Sequence, residues 1–324
     1  GQNLKGYYLP LGATNIMTTG HEYDDAFVVW DWTRVPGTTA VANQSTADLR
    51  WYLFGSNQFG GGVSNAHNGV MAYEHAYQGV EARKAYFFMG DAMVCMGSGI
   101  KAARTQEVRT SVNQCLANGE VTYGLSGHTY RLTNNLSDKN IDWAYHDNVG
   151  YIFPQNESVT LRKAKQTGAW RELEVTASDK PVTKEIFSLW VSHGTTPQHE
   201  DYCYIIMPDK PLSYFTDKKF ENEIKIIVNS EQIQAISNEN KKQYAAVFYE
   251  PGEIRFAEDL VVAVNKKVII YIEKKDKQYE IAVADPLYKE QSLQLSMNGE
   301  QINIVFPSGD YSGSSVIKHI TEKH

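Results

Sequence analysis

The sequence predicts an all-β protein made of two antiparallel sandwiches, a large one followed by a smaller one. Three observations carry that expectation. Short turn signals separate runs rich in β-branched and aromatic residues. No apolar period of 3.6 residues holds for more than about two turns. Composition changes once along the chain, close to residue 210.

The strand signals run from the first third of the chain to its end. KAYFF and AMVCM flank Gly90-Asp91, a two-residue connection in which glycine supplies the positive φ of a hairpin turn. EIFSLWVSH (185–193) and DYCYIIM (201–207) are β-rich runs with turn residues between them. VVAVNKKVIIYIEKKDKQYEIAVADP reads as three short strands joined by polar turns. LQLSM and EQINIVF bracket Asn298-Gly299, the strongest short-range hairpin signal.

All six tryptophans and all three cysteines precede residue 204, whereas after residue 221 the only glycines are Gly252, Gly299, Gly309 and Gly313. Between these regions PDKPLSYFTDKKFENE (208–223) carries two prolines and mixed charge. The expected organisation is a large sandwich at 1–210, a linker at 211–221 and a small sandwich at 222–324.

Composition narrows the classes of partner. A net charge of −7 opposes nucleic acid, which calls for a basic face, so no nucleic-acid partner is expected. Binding a polyanion would depend on a local basic patch. No apolar stretch approaches the roughly 20 residues of a membrane span, so no membrane partner is expected either. Cys95, Cys115 and Cys203 form no C-x-x-C pair, and Cys95 and Cys203 lie in apolar runs, which reads as small buried hydrophobes.

Ten segments in order, NLKGYYLP, GHEYDDAF, VWDW, PGTT, GSNQFGGGVS, ARKAYFF, CMGSGI, SLWVSHGTTP, YCYIIMP and AVADPLYKE, resemble polysaccharide lyase family 8, which includes the chondroitin, hyaluronate and xanthan lyases. The resemblance spans nearly the whole chain. It implies the family's large antiparallel super-sandwich followed by its small C-terminal β-sandwich, with the family's N-terminal α/α toroid absent. It also implies a secreted or periplasmic bacterial protein, an acidic polysaccharide as partner and a toroid domain as the missing partner.

Family chemistry is β-elimination at a uronic acid. An Asn, a His, a Tyr and an Arg act around C5 to ease removal of its proton and to protonate the leaving oxygen. The resemblance places these groups in the toroid and at its junction, upstream of Gly1, so no catalytic residue is assigned here. One substrate contact does carry over. The family's cleft tryptophan, four residues before GSN, corresponds to Trp51, whose indole would stack on the apolar C–H face of a sugar. A core tryptophan is the alternative. Arg50 is a candidate for pairing with sulfate or carboxylate, and Asn57 is a candidate ligand or a turn former. Tyr7, Tyr8, Trp51 and Tyr52 are expected on an exposed aromatic face.

HEYDD (21–25) with Asp31 has the composition of an oxygen-rich cation site, and some family members hold calcium near VWDW. Here Thr33 and Ala42-Asn43 stand where those members carry further acids, so no cofactor or metal is assigned. The nine histidines show no zinc spacing, and His67 reads as a loop residue. The favoured function is the β portion of a lyase for uronic-acid polysaccharides such as chondroitin sulfate or hyaluronan, forming one wall of the cleft. The alternatives are a non-catalytic carbohydrate-binding module and a structural β-sandwich.

Overall fold

The computed structural model describes residues 3–44, 57–155 and 157–321. Among the described residues, strands in four antiparallel sheets dominate, and helix is confined to 3-10 turns and the short α-helix Leu212–Thr216. The all-β expectation is met. A five-stranded sheet runs in the order Thr39–Val41, Glu107–Leu116, Val182–Thr195, Val159–Gly168, Leu136–Lys139. A further order runs Glu200–Pro208, Val149–Ile152, Trp143–His146, Val121–Leu125, His128–Arg131, and Gly60–Ser64 pairs with Gly69–Tyr77. Six strands follow as Lys225–Asn229, Ile233–Asn238, Gln243–Phe248, Val268–Lys275, Gln278–Ala284, Val316–Thr321. The last four are Gly252–Ala257, Leu260–Val264, Ser292–Met297, Glu300–Val305.

Turn chemistry explains the hairpins. Gly90 has φ +57 between Val80–Met89 and Ala92–Ala102, and Asn298 and Gly299 have φ +51 and +85. Positive φ at both central residues matches the right-handed twist of the flanking strands. Gln78-Gly79 (φ +53, +73), Ser126-Gly127 (+51, +78) and Asp147-Asn148 (+48, +60) close hairpins in the same way.

Contacts divide the chain into two compact units, Gly1–Gly55 with Ala76–Glu81 and Ile100–Thr216, and Ser56–His75 with Ala82–Gly99 and Asp217–His324. In the first, one face of the five-stranded sheet meets Trp143–His146 and Val149–Ile152. Phe187 stacks on His146 at 4.4 Å and lies 5.9 Å from Tyr151, whose hydroxyl accepts from Asn113 Nδ2 at 2.6 Å. Alternation along a strand sends Ser188, Trp190 and Ser192 to the opposite face. That face is covered by the N-terminal segment around residues 27–34, because Gln166 Nε2 donates to Val29 O at 2.9 Å. Gly168 permits this approach, since a Cβ there would lie 2.0 Å from Val28 O.

In the second unit the six- and four-stranded sheets enclose a core that includes Phe248, Phe256, Ile270, Ile272, Ile281, Leu293 and Ile304. The six-stranded sheet is buried on its other face as well, at Ile236, Val247, Ile269, Tyr271 and Ala282. The strand Gly60–Ser64 packs there, with Gly60 N donating to Pro286 O at 3.0 Å and Ser64 N to Ser315 Oγ at 3.0 Å. Asn65 Nδ2 reaches Glu280 Oε1 at 2.8 Å, and Phe59 meets Tyr249 at 4.8 Å. Cys95, Cys115 and Cys203 are buried and form no disulfide, and for Cys95 and Cys203 the apolar runs predict the burial.

Candidate functional site

Arg50, Trp51 and Tyr52 lie outside the described residues. Asn57 lies within them. It is exposed, and its Nδ2 donates to Glu74 O, while Glu74 N donates to Phe59 O at 3.0 Å. The amide therefore anchors the stretch that leads into the strand Gly60–Ser64. Charged groups cluster beside it: Glu74 pairs with Arg83 at 3.8 Å and with Lys267 at 3.9 Å. Arg83 also lies 5.3 Å from the centre of the Tyr249 ring. His67 is an exposed loop residue, as read from the sequence.

The exposed aromatic face expected at the N-terminus fails at Tyr8. Tyr8 sits in the 3-10 turn Gly6–Tyr8, is 2% exposed and packs edge-on against Tyr77 at 6.1 Å. Burying the ring removes apolar area from water even though its hydroxyl is left without a partner. Tyr7 is half-buried.

The acidic N-terminal segment uses its carboxylates internally. Glu22 is buried and accepts from Thr18 N at 2.8 Å, Thr19 N at 2.7 Å and Gly20 N at 3.0 Å, with both threonine hydroxyls adding to the set. Burial alone would raise its pKa, but these donors outweigh that and bring it down to about 2. His21 pairs with Asp24 at 2.8 Å. Asp31 accepts from Thr33 N at 3.0 Å and Thr33 Oγ1 at 2.6 Å, which caps the 3-10 turn Trp32–Arg34, and its other oxygen takes Arg34 Nε at 2.8 Å. Burial again works against the charged form of Asp31, and Arg34 with Thr33 prevails and lowers its pKa. Arg34 thus supplies at Asp31 the positive charge that a cation would bring. Among the described residues no three acids, histidines or cysteines converge on a metal position.

The turn that carries Asp31 and Arg34 is held by Gln114, which is fully buried. Gln114 Nε2 donates to Asp31 O at 3.0 Å and Arg34 O at 2.9 Å, while its Oε1 accepts from Asp31 N at 2.9 Å. Arg34 then lies 4.6 Å from the Trp190 ring centre, and Arg109 lies 5.1 Å from the same ring. Arg109 forks onto Glu107 Oε2 at 2.8 and 2.6 Å, and Glu107 Oε1 accepts from Ser192 Oγ. The result is a semi-buried basic and aromatic patch, suited to holding an anion rather than to proton transfer. Sequence reading missed Gln114, Arg109 and Trp190, because they come from two strands far apart in sequence and show no local motif.

Residues 1–219 match the model of the polysaccharide lyase family 8 super-sandwich domain, and residues 225–294 match that of the family's C-terminal β-sandwich domain. The chain belongs to polysaccharide lyase family 8. Among family members it is similar to chondroitinase-AC of Pedobacter heparinus, with 32% identity covering 97% of this chain and 46% of that protein. It is 24% identical to hyaluronate lyase of Thermasporomyces composti, covering 94% of this chain and 40% of that one. Xanthan lyase of Bacillus sp. is likewise 24% identical, over 88% of this chain and 32% of its own length. The chain therefore spans less than half the length of these relatives. Among solved structures, a chondroitinase AC lyase studied as oligosaccharide complexes superposes with a TM-score of 0.91 at 31% identity, covering 98% of this chain and 48% of that one. Paenibacillus xanthan lyase shares the fold, with a TM-score of 0.88 at 20% identity over 99% of this chain and 34% of that one.

Proposed function

We propose that this chain is the β portion of a secreted or periplasmic lyase that cleaves acidic, uronate-containing polysaccharides such as chondroitin sulfate or hyaluronan by β-elimination. The observation that carries the reading is the match to both family domains, together with 32% identity to a chondroitinase over nearly the whole chain. In the elimination the C5 proton is removed, a C4=C5 double bond forms, and the C4–O bond breaks with a proton delivered to the departing oxygen. The groups that carry out these steps belong to a helical toroid preceding this chain in the full protein. This chain forms one wall of the cleft: Trp51 stacks on a sugar ring, Arg50 pairs with an acidic substituent, and Asn57 serves as a ligand or as a turn former.

The test compares the chain alone with the full protein that carries the toroid, by the ultraviolet absorbance of unsaturated uronate. The full protein is expected to turn over chondroitin or hyaluronan, and the 324-residue chain to be silent. In the full protein Trp51→Ala should reduce kcat/KM by about tenfold, the loss of a stacking contact of roughly 1–2 kcal/mol, with little change in Tm. A drop in stability of about 3–5 kcal/mol would instead mark Trp51 as a core residue. Activity from the chain alone would overturn the reading.

A further inference from the structure

The basic patch around Trp190 extends beyond the groups already described. In the ladder between Val159–Gly168 and Val182–Thr195, Thr160 stands opposite Trp190 and Arg162 opposite Ser188. Cross-strand partners share a face, with Cβ atoms about 5 Å apart. Arg162, Ser188 and Trp190 therefore lie on the same side of the sheet, the side over which Arg34 and Arg109 reach. Three guanidiniums, of Arg34, Arg109 and Arg162, gather there against two carboxylates, Asp31 and Glu107. Asp31 is taken by Arg34 and Glu107 by Arg109. Among the described residues no ion pair is formed by Arg162, and its side-chain Nε has no hydrogen-bond partner.

Two polar atoms in this patch are buried without partners, Arg162 Nε and Ser188 Oγ, and they belong to the facing pair. Ser188 is only 1% exposed. Both are donors, and leaving a buried donor unmade costs about 1–3 kcal/mol, more when it is charged. The cations also act on one another. Burial lowers the Arg34 pKa, and the charges of Arg109 and Arg162 push it further down, against the pull of Asp31. A bridging water would satisfy the two donors, but it would leave the third positive charge uncompensated.

We propose that Arg162 and Ser188 bind one oxyanion, a carboxylate or sulfate group, in the field of Arg34 and Arg109. The anion accepts from Arg162 Nε–H and Ser188 Oγ–H and balances the charge that Asp31 and Glu107 leave over. Charge-assisted hydrogen bonds of this kind are about twice as strong as neutral ones. Binding of the anion does not depend on the proposed lyase activity.

Sodium sulfate titrated against the intact chain, with chloride at matched ionic strength as control, tests the site by thermal melting. The expected result is a saturable rise in Tm with sulfate that chloride does not reproduce. Ser188→Ala, nearly isosteric, and Arg162→Met should each weaken the apparent sulfate affinity by about tenfold or more, and Arg162→Lys should retain part of it. Calorimetry with sulfate, glucuronate and a sulfated chondroitin oligosaccharide identifies the source of the anion. Tighter binding of the oligosaccharide assigns the site to a glycan substituent, and equal or tighter binding of the inorganic ion assigns it to a free oxyanion. The absence of any saturable sulfate effect, or an effect unchanged in both Ser188→Ala and Arg162→Met, would overturn the proposal and leave the pair to water.

Discussion

Glu157 shows how much a single buried group adds to the behaviour of this chain. It is 7% exposed, its Oε1 accepts from Cys203 N at 3.0 Å, and its Oε2 has no partner. Burial raises its pKa to about 8, against the backbone donors that pull it down. An acid whose folded pKa is raised binds its proton in the native state after the unfolded chain has released it. Stability therefore falls as pH rises from 4.5 to about 8. Glu157→Gln should leave stability near pH 4.5 almost unchanged and raise it at pH 8 by up to roughly 4 kcal/mol. Denaturant midpoints of the two proteins across that range check this, and a pH-independent difference would contradict it. The buried histidines act in the opposite direction. Burial lowers His75 to about 3 and His146 to about 4. Between those values and pH 6.5 the unfolded chain binds more protons, so stability is lost as pH falls through that window. His146→Phe, which keeps a ring against Phe187, should shift the acid-unfolding midpoint to lower pH. Neither environment is legible in the sequence, since each group is buried by strands distant from its own.

At the level of elements, turns and close approaches transmit local chemistry to the patch. Gly168 lets the turn Phe27–Val29 settle on the sheet, and the Asp31–Arg34 turn follows it. Gly168→Ala should cost about 1–3 kcal/mol through overpacking. It should also weaken the sulfate effect, a readout that a remote destabilising substitution would leave alone. Asn298 closes its hairpin with φ +51, accepts from Val261 N at 2.8 Å and donates to Asp259 O at 2.7 Å. Asn298→Ala removes both bonds and the tolerance for positive φ, so a loss of about 1–2 kcal/mol is expected in a melting curve. The Asn298-Gly299 and Gly90-Asp91 hairpins were legible because their turns are encoded by adjacent residues. Gln78-Gly79, Ser126-Gly127 and Asp147-Asn148 adopt positive φ with weaker sequence signals, and reading them requires the pairing of the strands on either side.

Across the whole molecule, the composition break near residue 210 and the contact-defined units trace different divisions. The run VIIYI (268–272) is apolar at every position, which marks a strand buried on both faces. One face joins the core with Phe248 and Leu293. The other, with Ile269 and Tyr271, is covered within the same unit by the strand Gly60–Ser64. Residues 217–324 produced alone should therefore expose an apolar face, bind a hydrophobic dye and self-associate. A monomeric, dye-free fragment with a cooperative melt would show that the second face needs no cover.

What the sequence determined by itself is local or shared with relatives: strands without helices, hairpins at Gly90 and Asn298, buried cysteines, and a family written in ordered motifs. Tertiary structure alone decided that Tyr8 is interior, that Asp31 is satisfied by Arg34, and that Arg162 faces Ser188 beside Trp190. Turn chemistry acts between neighbours, so it can be read directly from the chain. Strand register brings together residues more than a hundred positions apart, and only the packed sheets set which side chains then share a face.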